Sequence, residues 1–197
     1  MIAGGIILAA TMVASTNVFM NGDCEEVSLN VKASSTTLMR HLRSGWQFGF
    51  GPIAYFPKGW WPNGAPGEFR VIDLDETPEK RELVHSGKRS FLLRPVKENS
   101  TGIYNPGNSP KKGKYEISFW TKGSGKARML FATYDRVKHL SSENPGVVSK
   151  PSEDWVENRY TFDIGVTPGT HRISVLLYVT DGEVYFDDFS MKPLGVD

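Results

Sequence analysis

Val184-Tyr185-Phe186-Asp187-Asp188-Phe189-Ser190-Met191 is a strand-like run of aromatic and aliphatic residues that carries two adjacent carboxylates. Asp181-Gly182 precedes it, a dipeptide that tolerates positive φ and predicts a hairpin turn into a final strand over Glu183–Met191. Further back, His171–Thr180 and Arg159–Ile164 read as strands separated by a Pro168-Gly169 turn. Lys126–Asp135 reads as a strand after Gly123-Ser124-Gly125, which predicts a hairpin with Tyr115–Lys122. In Tyr115–Lys122, Tyr115, Ile117 and Phe119 fall on one side and Glu116, Ser118 and Trp120 on the other. Asp75–Val84 is charged and has room for one short helical turn, and no long stretch has clean helical periodicity. Short strands at regular spacing predict an all-β chain, a β-sandwich jelly roll of two antiparallel sheets.

Composition narrows the function classes. A chain of 197 residues makes one domain with room for a real core. A formal net charge of +1 points neither to nucleic acid nor to an anionic membrane. Aromatics make up 12% of the residues and five are Trp, so rings must either fill a core or stack on something. The 20 Gly and 12 Pro suit many turns. Residues 1–20 carry no charge, and the apolar run Ile2–Ala14 reads as a secretory signal peptide cleaved after about Ser15. The other reading of that run is a buried first strand. It is too short to span a bilayer comfortably, so residues 16–197 are expected as a single secreted or cell-surface domain with no membrane span. Cys24 is the single cysteine and has no partner for an internal disulfide.

Three other segments belong with the last strand: Asn21-Gly22-Asp23-Cys24-Glu25-Glu26, Val84-His85-Ser86-Gly87-Lys88-Arg89-Ser90-Phe91-Leu92-Leu93, and Tyr115-Glu116-Ile117-Ser118-Phe119-Trp120-Thr121-Lys122. In this order the four resemble the β-jelly-roll carbohydrate-binding modules of families 4, 9 and 22, which share a galactose-binding-like fold. The resemblance covers about residues 17–192. It implies a secreted, non-catalytic module that binds a polysaccharide or oligosaccharide, commonly attached to a glycoside hydrolase or working at a cell surface. It also implies a structural Ca2+ that ties the N-terminal segment to the last strand, with Glu25, Asp187 and Asp188 as metal ligands. Backbone carbonyls near Ser86–Lys88 would complete the shell. The alternative is an acidic strand end, with Asp188 bonded to a backbone N–H or to Lys88. At Cys24 the family pattern has Phe, and a buried Cys fills the same place with less volume.

Sugar rings present C–H faces and hydroxyl rims, so a binding site lays aromatic rings on the faces and aims polar groups at the rims. The region Ser44–Glu68 holds seven aromatics among Gly and Pro and is expected to be irregular, either a lid over the core or a binding surface. Trp60 and Trp61 are adjacent, so one is expected to face the ligand while the other packs. Trp120 and Tyr134 lie on strands expected to be neighbours on one open face, with Glu116, Arg128 and Arg172 as rim donors and acceptors. Trp46 and Trp155 are expected in the core or at its edge.

Catalytic signals are sparse. The four His have no metal-ligand spacing, and no nucleophile elbow or His-Glu-x-x-His is present. His85 falls in the matched segment and is expected to be structural. A glycosidase needs two carboxyl groups flanking a cleft, and Asp187 and Asp188 are expected on opposite faces of their strand. The nearest approach to a polysaccharide-lyase set is Arg128, Tyr134 and His171. Two other function classes therefore stand beside sugar binding: a structural or adhesion domain that binds a protein, and a small polysaccharide lyase or glycoside hydrolase.

Overall fold

The computed structural model describes residues 19, 21–29, 43–48, 55–96, 100–106, 113–136, 138–146, 148–164 and 172–194. The apolar segment 1–15, the Pro168-Gly169 turn and His171 lie outside these residues. In chain order the strands are β1 (Val27–Leu29), β2 (Gln47–Phe48), β3 (Tyr55–Pro57), β4 (Trp61–Gly64), β5 (Gly67–Asp73), β6 (Arg89–Pro95) and β7 (Thr101–Pro106). They continue as β8 (Gly113–Gly123), β9 (Lys126–Tyr134), β10 (His139–Glu143), β11 (Ser152–Ile164), β12 (Arg172–Asp181) and β13 (Val184–Pro193). A 3-10 turn at Pro78–Leu83 lies within the expected stretch Asp75–Val84.

Two sheets face each other. One has five strands in the order β10-β9-β12-β7-β4, the other six in the order β11-β8-β13-β6-β5-β2. Pairing is antiparallel throughout both except for the short parallel contact of β2 with β5. The jelly-roll sandwich expected from the sequence is therefore the fold. Ser44–Glu68, expected to be irregular, holds β2, β3, β4 and the start of β5 among its described residues.

The two expected hairpins are something else. β8 and β9 flank Gly123-Ser124-Gly125, yet they lie in different sheets, and so do β12 and β13 around Asp181-Gly182. Both turns are arches over the end of the sandwich, and they pack on each other: Gly125 N donates to the Glu183 carbonyl at 2.9 Å. A Cβ on Gly182, whose φ is +60°, would lie 2.7 Å from Gly125 Cα, so this contact requires glycine. Local pattern marks a strand and a turn, but the choice of sheet belongs to the packing of the apolar faces.

Alternation builds the core. Ile103, Met129, Phe131, Val175 and Leu177 point inward from the five-stranded sheet and meet Phe69, Phe91, Leu93, Ile117, Phe119 and Phe186 from the other. Each such buried side chain contributes about 1.5–3 kcal/mol. The six-stranded sheet is also covered outside. Leu74, Leu83 and Val84 fold over Ile72, Leu92 and Tyr185, and Trp155 closes this second cluster at its edge, donating from Nε1 to the Glu82 carbonyl at 3.2 Å.

The N-terminal motif is docked on the last strand. Asn21 takes a left-handed φ of 53°. Its side chain donates to the carbonyls of Glu26 and Lys58 at 2.7 and 3.1 Å and accepts from Glu26 N at 2.7 Å. The Gly22 carbonyl accepts from Phe189 N at 2.6 Å. Cys24 is fully buried, as expected, and burial, with Asp187 and Asp188 nearby, pushes its thiol well up.

Candidate functional site

The outer face of the five-stranded sheet collects the side chains suited to recognition. Its strands put Ile103, Met129 and Leu177 inward, so the alternate residues point out. Cross-strand register then sets four rows. Asn63, Gly102, Tyr178 and Arg128 form the first, and Trp61, Tyr104, Leu176 and Leu130 the second. Pro106, Ser174, Ala132 and Ser142 form the third, and Arg172, Tyr134 and His139 the fourth. At normal strand spacing and rise this face is about 20 Å long between the outer rows.

The rings are held in place. Trp61 is 38% exposed at the edge strand. Asn63 Nδ2 donates to the Tyr178 hydroxyl at 2.7 Å, and the Arg128 guanidinium lies 5.7 Å from the centre of the Tyr178 ring. The Tyr178 ring passes over Gly102, where a Cβ would come within 2.6 Å of it, so the bare glycine makes room for the ring. In the fourth row Arg172 stacks 4.6 Å above Tyr134, whose ring meets His139 edge-on at 5.4 Å. Burial pushes the hydroxyls of Tyr104 and Tyr178 upward, so both stay protonated donors at neutral pH.

Four of the seven residues expected from the sequence to bind sugar meet here: Trp61, Tyr134, Arg128 and Arg172. The other three do not. Trp60 is 1% exposed and belongs to the core, between Phe19 and Phe189, with its Nε1 donating to the Asn21 carbonyl at 3.3 Å. Successive strand residues face opposite sides, which sends Trp61 out and Trp60 in. Trp120 and Glu116 are on β8, in the other sheet, because the Gly123–Gly125 turn is an arch. The Trp120 ring is stacked under the His85 imidazole at 3.9 Å, and Glu116 accepts from Arg159 Nη1 at 2.7 Å. Tyr104 and Tyr178 were not among the expected residues. Tyr178 shares its parity with Arg172 along β12, which was the available signal. Tyr104 sits in Thr-Gly-Ile-Tyr-Asn-Pro, whose Gly, Asn and Pro read as turn.

Arg128 and Tyr134, weighed as part of a lyase set, lie six residues apart on one strand, about 20 Å. They cannot act on one bond.

The carboxylates expected to hold calcium do converge, but on hydrogen-bond donors. A bulge at Asp188, whose φ is 49°, breaks the alternation of β13 and turns both aspartates toward His85-Ser86. This corrects the expectation that they face opposite ways. Asp187 accepts from His85 N at 2.9 Å, Ser86 N at 3.2 Å and Asp188 N at 2.8 Å. Asp188 accepts from Ser86 Oγ at 2.8 Å and is 2.7 Å from His85 Nδ1. Glu25 accepts from Lys88 N at 2.7 Å and Arg89 N at 3.0 Å. Ca2+ requires six to eight oxygens directed at one point. Among the described residues no group of three His, Cys, Asp or Glu side chains is placed to hold a metal. In this arrangement the carboxylates of Glu25, Asp187 and Asp188 are engaged by donors of the 85–89 turn. They tie the chain ends to the 85–89 turn directly. Excess chelator is expected to leave the melting temperature unchanged in differential scanning calorimetry, and a drop of several degrees would show that a cation does bind.

Comparison with known proteins places this geometry in a fold. No protein-family model and no curated protein matches the sequence. Solved structures match the fold. TmCBM61, determined in complex with β-1,4-galactotriose, is 15% identical with a TM-score of 0.51, over 91% of this chain and 99% of its own. The CBM22-1–GH10 modules of the Clostridium thermocellum endo-1,4-β-D-xylanase 10B, complexed with xylohexaose, give 13% and 0.54 over 70% of this chain. This chain spans 26% of that larger protein. A cyclase from Fischerella sp. TAU gives 12% and 0.57 over 93% of this chain and 100% of the cyclase. The protein thus has the β-sandwich jelly-roll fold that these carbohydrate-binding modules and the cyclase share.

Proposed function

We propose that this protein is a secreted or cell-surface, non-catalytic carbohydrate-binding domain whose ligand is a polysaccharide or oligosaccharide. The observation that carries the proposal is the row of Trp61, Tyr104 and Leu176, flanked by Tyr178 and Tyr134, on one sheet face. Trp61 offers an exposed ring for a sugar face. The hydroxyls of Tyr104 and Tyr178, Asn63 and the two arginines offer hydrogen bonds to the rim. Leu130 adds apolar floor between them. Stacking on rings that are already fixed costs little side-chain entropy, which suits shallow, wet sites of modest affinity. The apolar segment 1–15 supports export, and among the described residues no helix is long and apolar enough to cross a membrane. A glycoside hydrolase or another cell-surface component is the natural partner for such a domain.

Native gels cast with a panel of soluble polysaccharides test this. Retardation by one class of glycan is the expected result. Migration unaffected by every glycan would favour a protein-binding jelly roll, and shortening of a glycan in the gel would assign an enzyme.

A further inference from the structure

Two cations stand on the proposed binding face, and no carboxylate among the described residues pairs with either. Arg70, Arg89, Arg94 and Arg159 each pair with a carboxylate. Arg128 and Arg172 pair with none among the described residues, and each is instead laid against a tyrosine ring. Arg128 Nε is buried without a hydrogen-bond partner. Two acids at the ends of these strands are occupied: Asp181 accepts from Lys126 N at 2.9 Å and lies 3.8 Å from Lys126 Nζ, and Asp135 accepts from Lys138 N at 2.6 Å.

Stacking fixes the plane of a guanidinium and leaves its edge free for two parallel N–H bonds, the geometry that a carboxylate matches. We propose that this face selects acidic polysaccharides, whose uronic acid carboxylates pair with Arg172 at one end and Arg128 at the other, while Trp61, on the edge strand of the same sheet, stacks a further ring to one side of them. The proposal rests on the glycan-binding function above and names its substrate class. Arg128 and Tyr178 lie in the first row and Arg172 and Tyr134 in the fourth. The roughly 20 Å between those rows calls for a polymer or long oligosaccharide rather than a single sugar.

The test is calorimetric titration of the full chain with polygalacturonate, with the same polymer after its carboxyls are reduced to alcohols, and with dextran sulfate. The expected result is binding to polygalacturonate at least tenfold tighter than to the reduced polymer, weakening as salt is raised. Arg172→Gln, an exposed position, is expected to lose most of that preference while melting as the parent does, and Arg128→Gln to do the same. Arg159→Gln, on the opposite sheet, is expected to keep it. Equal binding of the native and reduced polymers would overturn the acidic preference and leave glycan binding intact. Binding of dextran sulfate alone would overturn the carboxylate class. Binding to none of these, nor to any glycan in the gel panel, would overturn both proposals.

Discussion

Trp60→Ala is expected to destabilise the protein by about 3–5 kcal/mol, whereas Trp61→Ala one residue away is expected to cost under about 1 kcal/mol. Trp60 is enclosed by aromatic rings: its centroid lies 5.7 Å from Phe19, 4.4 Å from Phe189 and 5.9 Å from Phe91. Its Nε1 also binds the Asn21 carbonyl, so truncation both opens a cavity and leaves that carbonyl short of a donor. Trp61 is 38% exposed on an edge strand, and removing it leaves little empty volume. For a domain of this size the Trp60 variant should melt on the order of 10 °C lower. Thermal denaturation of the two variants measures this, and similar melting temperatures would contradict the placement of Trp60 in the core and Trp61 at the surface.

Asp187→Ala is the second large loss. Asp187 is fully buried and accepts three backbone N–H groups, from His85, Ser86 and Asp188. Alanine removes the acceptor of all three, and buried donors left unmade cost about 1–3 kcal/mol each, so a total of about 3–5 kcal/mol is expected after relaxation. The wild type also carries a pH signature. Burial first, and then the neighbouring Asp188 charge, push the Asp187 carboxyl from 3.8 up to about 7, against the pull of the three N–H groups. The native state therefore holds this proton more tightly than the unfolded chain. The resulting stabilisation is complete below about pH 4 and is lost as pH rises to about 7, on the order of 4 kcal/mol across that window. Urea denaturation of wild type and Asp187→Ala at several pH values checks this. The wild type should lose stability relative to the variant between pH 4 and 7, and parallel curves would contradict the buried, proton-retaining carboxyl.

The sandwich was legible because the evidence for it is local. Period-two alternation in Tyr115–Lys122 and the Gly-containing turns specify short strands and reversals, and these survive in the structure. Docking of Asn21–Glu25 on the last strand was legible through the ordered motifs, and so was the split between Trp60 and Trp61. What was not legible is which sheet each strand joins. Gly123-Ser124-Gly125 looks the same in a hairpin and in an arch between sheets. Only the burial of Phe119 against the opposite layer decides it, and that decision moved Trp120 and Glu116 off the candidate face. The bulge at Asp188 was equally hidden, since nothing in Phe186-Asp187-Asp188-Phe189 announces a residue at φ 49°. Tyr104 and Tyr178 became visible once register aligned them with Trp61 and Arg128.

The proposed function requires the outer face of the five-stranded sheet to be the glycan site. The most direct measurement is affinity electrophoresis of the wild type, Trp61→Ala and Trp120→Ala in gels containing the retarding glycan. Trp61→Ala should migrate as though no glycan were present, while Trp120→Ala, altered under His85 on the opposite sheet, should be retarded like the wild type. Retention by Trp61→Ala together with loss in Trp120→Ala would put the binding site on the other sheet.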